Sequence, residues 1–128
     1  MLAVVKRCGK AAEIAHISGE LGELQDIVGG LIEPLALDED TDIICNDEGK
    51  ILGMPMNVVL GDGAGEDELD FIDVLCGDIV IVGCDRSIGA FVSLEPACAV
   101  SLVRRLSSEF VMTSSMELLP VLRLEQKG

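Results

Sequence analysis

Along most of the chain, apolar residues come in short runs broken by glycine, proline and clustered acids, a pattern that predicts strands and turns. Residues 2–6 predict one strand and residues 11–17 a second, with Cys8-Gly9-Lys10 as the turn between them. The second run alternates imperfectly, with Glu13 and Ala15 on one face and Ile14 and His16 on the other. Leu21, Leu24, Ile27 and Val28 instead recur at helical spacing, with Glu20, Glu23 and Asp26 outward. Ser18 is the expected N-cap of this helix and Gly29-Gly30 its C-terminal stop. Residues 31–37 predict an edge strand interrupted at Pro34.

Residues 42–46 and 51–53 flank Asp47-Glu48-Gly49-Lys50 as a predicted hairpin, with Gly49 supplying the positive φ. Pro55 to Leu60 predicts a short helix or turn, and residues 61–70 an exposed, mobile loop. The β-branched run 78–84 between glycines is the clearest buried strand. A second helix is predicted over 94–106, with Ser93 as cap and Pro96 in the first turn. Residues 110–124 are apolar and carry Pro120, which predicts a strand or an oligomer contact rather than a helix. Together these elements predict an α+β fold, a small mixed or antiparallel sheet with two or three helices, in one domain over 1–128.

Composition changes that picture in three ways. The chain of 128 residues is 49% apolar. Its mean hydropathy is +0.47, more apolar surface than a domain this small can easily bury, which predicts a homo-oligomer. No apolar run has the length of a membrane span, and the N-terminus places Lys6 and Arg7 after its short apolar stretch, the reverse of a signal peptide. A cytoplasmic protein without membrane contact is therefore expected. The five cysteines, with no CxxC pair, predict reduced thiols rather than a disulfide framework. The absence of Trp and Tyr argues against a base-stacking platform for nucleic acid.

The net charge of −14 is unevenly distributed. Residues 1–10 carry +3, residues 11–85 carry −18 and residues 86–128 carry +1. One acidic cluster holds Asp38, Glu39, Asp40, Asp42, Asp47 and Glu48, and a second holds Asp62, Glu66, Asp67, Glu68, Asp70, Asp73 and Asp78. Such a field repels phosphate backbones and anionic lipid but attracts a basic protein. The acids of these clusters, Asp38, Glu39, Asp40, Asp42, Asp62, Glu66, Asp67, Glu68 and Asp70, are the expected partner face. The plainer role of the same acids is to keep an apolar domain in solution.

Most familiar chemistries fail on particular residues. Asp38 to Asp42 opens like a calcium loop, but Ile43 stands where glycine is needed and Gly49 where the bidentate Glu is needed. A single histidine and no paired cysteines argue against a zinc site. Gly61-Asp62-Gly63-Ala64-Gly65 is glycine-rich, yet its acids repel phosphate and no Lys-Ser or Lys-Thr follows. His16 and Cys45 are the only residues that invite a nucleophile–base reading, and no second polar partner is identifiable for either. No metal, cofactor or catalytic residue is assigned.

Three segments resemble a known family. They are Leu24-Gln25-Asp26-Ile27-Val28-Gly29-Gly30-Leu31-Ile32-Glu33, Asn46-Asp47-Glu48-Gly49-Lys50 and Gly53-Met54-Pro55-Met56-Asn57, with Gly77 to Gly83 fitting the later part of the pattern. The combination resembles the domain of unknown function DUF3846 over roughly residues 14–100, with Leu31 where that family usually has an aromatic. The resemblance implies a small protein carried by phages and mobile elements of gut bacteria, with no established reaction. Within the matched motifs, Gln25, Glu33, Asn46, Glu48, Lys50 and Asn57 are candidates to line a cleft for a small polar ligand. Each also has a purely structural role open to it: Asn46 as a turn former, Lys50 paired with Glu48, Asn57 as a helix cap.

The sequence thus predicts a non-enzymatic binding protein that captures a basic host factor through its acidic face, in the manner of a DNA mimic. The alternative is a protein that binds or sequesters a small polar ligand or nucleotide, and the third reading is an enzyme of unknown reaction.

Overall fold

The run the sequence marks most strongly forms the centre of the structure. A computed structural model describes residues 1–62 and 70–124. In it β7 (Ile79–Asp85) is flanked by β1 (Leu2–Lys6) on one side and β4 (Thr41–Asn46) on the other. The hairpin strand β2 (Glu13–His16) and the edge strand β3 (Ile32–Asp38) complete the order β2-β1-β7-β4-β3, all antiparallel. A short strand, β8 (Ala90–Val92), pairs with the far end of β7 beyond β1. The second sheet has the order β6-β5-β10-β9, from β5 (Met56–Asp62), β6 (Asp70–Cys76), β9 (Phe110–Met112) and β10 (Leu118–Arg123). Its β5–β10 pair is parallel and its other pairs are antiparallel.

Because β7 is covered on both faces, it reads as a continuous apolar run rather than an alternation. Val80 and Val82 face α1 (Leu21–Val28), which lays Leu24 and Val28 against them together with Ala3, Val5 and Ile44. Ile79 and Ile81 face the other way, with Val4, Ile43 and Cys45. That side meets Val58, Leu60, Leu75 and Leu122 of the second sheet and Ala99, Leu102 and Leu106 from α2 (Pro96–Arg105) and its end. Burying each such side chain contributes about 1.5–3 kcal/mol against chain entropy. The outer face of the second sheet carries a smaller cluster of Val59, Leu119 and Val121.

The α+β class and the two helices agree with the sequence, but the protein is sheet-rich and its strands divide between two sheets. Several local expectations are corrected. Ser18 is not the cap of α1: Glu20 holds that position, while Glu23 accepts hydrogen bonds from the Ser18 and Gly19 amides at 2.7 and 3.2 Å. Ser93 does not cap α2, whose N-cap is Glu95; its hydroxyl accepts from the Leu2 amide at 2.7 Å and ties β8 to β1. The 42–46/51–53 hairpin does not form. β4 pairs instead with β3 and β7, and the chain winds through residues 47–54 with the Leu52 amide bonded to the Glu48 carbonyl and the Met54 amide to the Gly49 carbonyl. Gly49 is not at positive φ; it is needed because a Cβ there would lie 2.6 Å from the Cys76 carbonyl oxygen. Residues 56–60 belong to a strand rather than a helix or turn. The apolar run 110–124 forms strands as expected, with Pro120 inside β10. Of the expected 61–70 loop, residues 61, 62 and 70 belong to β5 and β6, and residues 63–69 lie outside the described residues.

Candidate functional site

Two concavities flank β4, one at each end. Where β4 finishes, its last residues, the 47–51 winding, β3 and β6 enclose a cleft of about 240 Å³. The β3–β4 register sets Glu33 opposite Cys45 and Ile32 opposite Asn46, which brings two distant motifs to one place. Glu33, Asn46, Glu48 and Lys50 line the cleft, joined by Asp47, Asp73 and Cys76. The Lys50 ammonium is paired with Asp73 from β6, and this hydrogen bond raises the Lys50 pKa. A hydrogen bond to the neighbouring Asp47 carboxyl raises that of Glu33. Burial pushes the Cys45 thiol up to about 11, so it is no nucleophile at neutral pH.

Gln25 and Asn57 are not in the cleft. Gln25 stands over a shallow hollow at the end of α1, where its carbonyl accepts from the Gly29 and Gly30 amides. Gly29, at φ +80°, makes that turn possible without a Cβ penalty. Asn57 is 1% exposed and fully used: its Nδ2 donates to the Lys6 and Gly77 carbonyls at 2.8 and 2.9 Å, and its Oδ1 accepts from Lys6 Nζ at 2.9 Å. Lys6 is itself buried, and that desolvation lowers its pKa. Asn46 lines the cleft but also donates to the Val28 carbonyl at 3.1 Å and accepts from the Glu48 amide at 2.7 Å. It therefore ties the end of α1 to the 47–51 winding.

At the start of β4 lies a larger groove, about 1260 Å³, between the β3–β4 turn, the turn after β7 and the start of α2. Five carboxylates line it, those of Asp38, Glu39, Asp40, Asp85 and Glu95, against one guanidinium, that of Arg86. Arg86 is turned to the body of the protein, donating to Asp42 Oδ1 at 2.9 Å and to the Asp38 carbonyl at 2.7 Å. Asp85 accepts from the Ser87 hydroxyl at 2.6 Å and amide at 3.0 Å, and these bonds lower its pKa.

The expected acidic face divides accordingly. Asp38, Glu39 and Asp40 border the groove. Asp42 does not: its side chain is 8% exposed and lies behind the groove on Arg86, because β4 is covered there and a buried carboxylate needs a partner. Asp62 ends β5 in the other sheet, where it pairs with Asp70. Glu66, Asp67 and Glu68, and the side chain of Asp70, lie outside the described residues. Asp85, Arg86 and Glu95 were missed; a turn signal directly after the strongest strand was the available clue.

His16 and Cys45 do not come together, since β1 and β7 lie between β2 and β4. His16 is exposed on β2. Among the described residues no group of three or more His, Cys, Asp or Glu is arranged to hold a metal. No helix among them is long and apolar enough to cross a membrane.

A family model described as "Domain of unknown function (DUF3846)" matches residues 1–107, so the chain belongs to that family. The match ends just past α2 and leaves β9 and β10 outside it. Comparison with curated proteins and with solved structures returns no match.

Proposed function

We propose that this member of the DUF3846 family is a non-enzymatic binding protein that captures a basic segment of a partner protein in the groove at the start of β4. The observation that carries this reading is the disposition of charge: five carboxylates line the groove while its one cation is committed to Asp42. A groove with fixed walls focuses such a field and steers a cationic partner into it. The mobile-element context implied by the family resemblance fits a basic host factor as that partner.

The test is titration of a labelled arginine-rich peptide at low and high salt, with the parent chain and an Asp40→Lys/Glu95→Lys variant. The parent binds with an affinity that falls as salt rises. The double reversal weakens binding by about tenfold or more and flattens the salt dependence, as expected when attraction becomes local repulsion. Equal affinity for both chains sinks the reading.

A second reading rests on the cleft, which gathers Glu33, Asn46, Glu48 and Lys50 with Asp47 and Asp73. Its carboxylates outnumber its ammonium, which suits an amine better than a nucleotide. A small amine that raises Tm in the parent but not in Glu33→Gln favours it over the first.

A further inference from the structure

We propose that β9 is a symmetric docking edge through which a second copy of this chain extends the β6-β5-β10-β9 sheet. The backbone directions come first. The Val121 amide donates to the Glu109 carbonyl at 2.9 Å and the Thr113 amide to the Glu117 carbonyl at 2.8 Å. Residues 109, 111 and 113 therefore turn their polar backbone groups toward β10. By the alternation of an antiparallel ladder, Phe110 and Met112 turn theirs outward. Among the described residues no strand other than β10 pairs with β9.

Proteins commonly blunt such edges with charge or proline. The other three strands that end the two sheet orders do so: β2 carries Glu13, β3 carries Glu33 and Pro34, and β6 carries Asp70 and Asp73. The short β8 is anchored beside β1 through Ser93 and Leu94. β9 is Phe-Val-Met, with Phe110 48% and Met112 55% exposed.

That sequence is complementary to itself. An antiparallel pairing centred on Val111 sets Phe110 opposite the second copy's Met112 and the reverse. Both outward-facing residues then exchange N–H and C=O bonds with the copy, four in all across the two-fold axis. Each pair is an aromatic–thioether contact. Within the chain Met112 already lies opposite Leu118, itself 62% exposed, and Phe110 opposite Pro120. The pairing would continue these into apolar rows across both molecules. Charge does not oppose this contact: β9 itself carries no charged residue, and Glu109 beside it is paired with Arg123.

Sedimentation velocity of the full chain over a concentration series, at low and high salt, tests this. The expected mass is twice the 13.5 kDa of one chain, with the dimer strengthened by salt, the opposite of groove binding. Phe110→Pro removes an outward N–H without touching the β9–β10 ladder, and Met112→Lys places like charges across the axis; both are expected to be monomeric with unchanged circular dichroism. Should Phe110→Pro fail to fold, Met112→Lys carries the test alone. Val100→Lys, at an exposed apolar position on α2, remains dimeric. A parent chain still monomeric at about 100 µM overturns the proposal. So does a dimer that persists in the folded edge variants or is lost in Val100→Lys.

Discussion

The two ends of β4 carry acidic concavities that differ in what their charges are doing. At the Asn46 end, Lys50 answers Asp73 and a hydrogen bond links Glu33 to Asp47, so much of the cleft's polarity is spent inside the cleft. At the Thr41 end, Arg86 is spent on Asp42, behind the groove, and among the described residues no second cation lines the groove to answer the five carboxylates in front. A tally of acids does not separate the two; the direction in which each cation points does. The lesson is that availability, not composition, decides which acidic surface can attract a partner.

The comparison breaks most completely where its two halves share a platform. Ile43 is fully buried on β4 between them, and Ile43→Ala is expected to cost about 2–5 kcal/mol in urea unfolding and to weaken both concavities together. A cost confined to one end, with peptide binding in the groove untouched, would mean that the two sites do not depend on β4 in common. A smaller effect separates the two ion pairs. Asp42→Asn leaves Arg86 without its buried partner and is expected to lower Tm by several degrees, whereas Asp73→Asn opens an exposed pair and moves Tm little. Equal shifts would erase the contrast.

The smallest effect is one of pH. The folded-state pKa of Glu33 is raised, so its contribution is fully present below the ordinary carboxyl value of 4.5 and is lost as pH rises through the raised value. Glu33→Gln keeps a neutral partner for Asp47 at every pH. It is expected to raise Tm slightly near neutrality and to leave it unchanged in acid; a constant offset at all pH values contradicts the assignment.

How much of this was legible in the sequence follows from which interactions are local. β1, β3, β7 and both helices were readable because their apolar spacing reports their own burial. β6 was not, since its Asp-Phe-Ile-Asp-Val-Leu-Cys mixes acids and apolar residues and follows an acidic, glycine-rich stretch. The false hairpin came from assigning Gly49 a turn role when its constraint is a neighbour, Cys76, that only the tertiary fold supplies. In the cleft, Glu33, Asn46, Glu48 and Lys50 were foreseen through motifs close to β3 and β4, while Asp73 arrives from a strand no local signal places there. Asn57 and Gln25 belong to the same motifs, yet the first is consumed by backbone carbonyls and the second sits at the end of α1.

The parallel pairing of β10 with β5 has a consequence for synthesis. In the order β6-β5-β10-β9 the latest-made of these four strands lies inside the sheet, not at its rim. On the ribosome the β7-centred sheet has all its strands once residue 92 has emerged, but the second cannot close until residue 123 does. Until then β5 offers an open edge, and the place of Leu122 in the core stays vacant. The nascent chain therefore passes through an interval in which the β5 edge and the apolar side chains around the Leu122 site are uncovered, a natural point of engagement for chaperones.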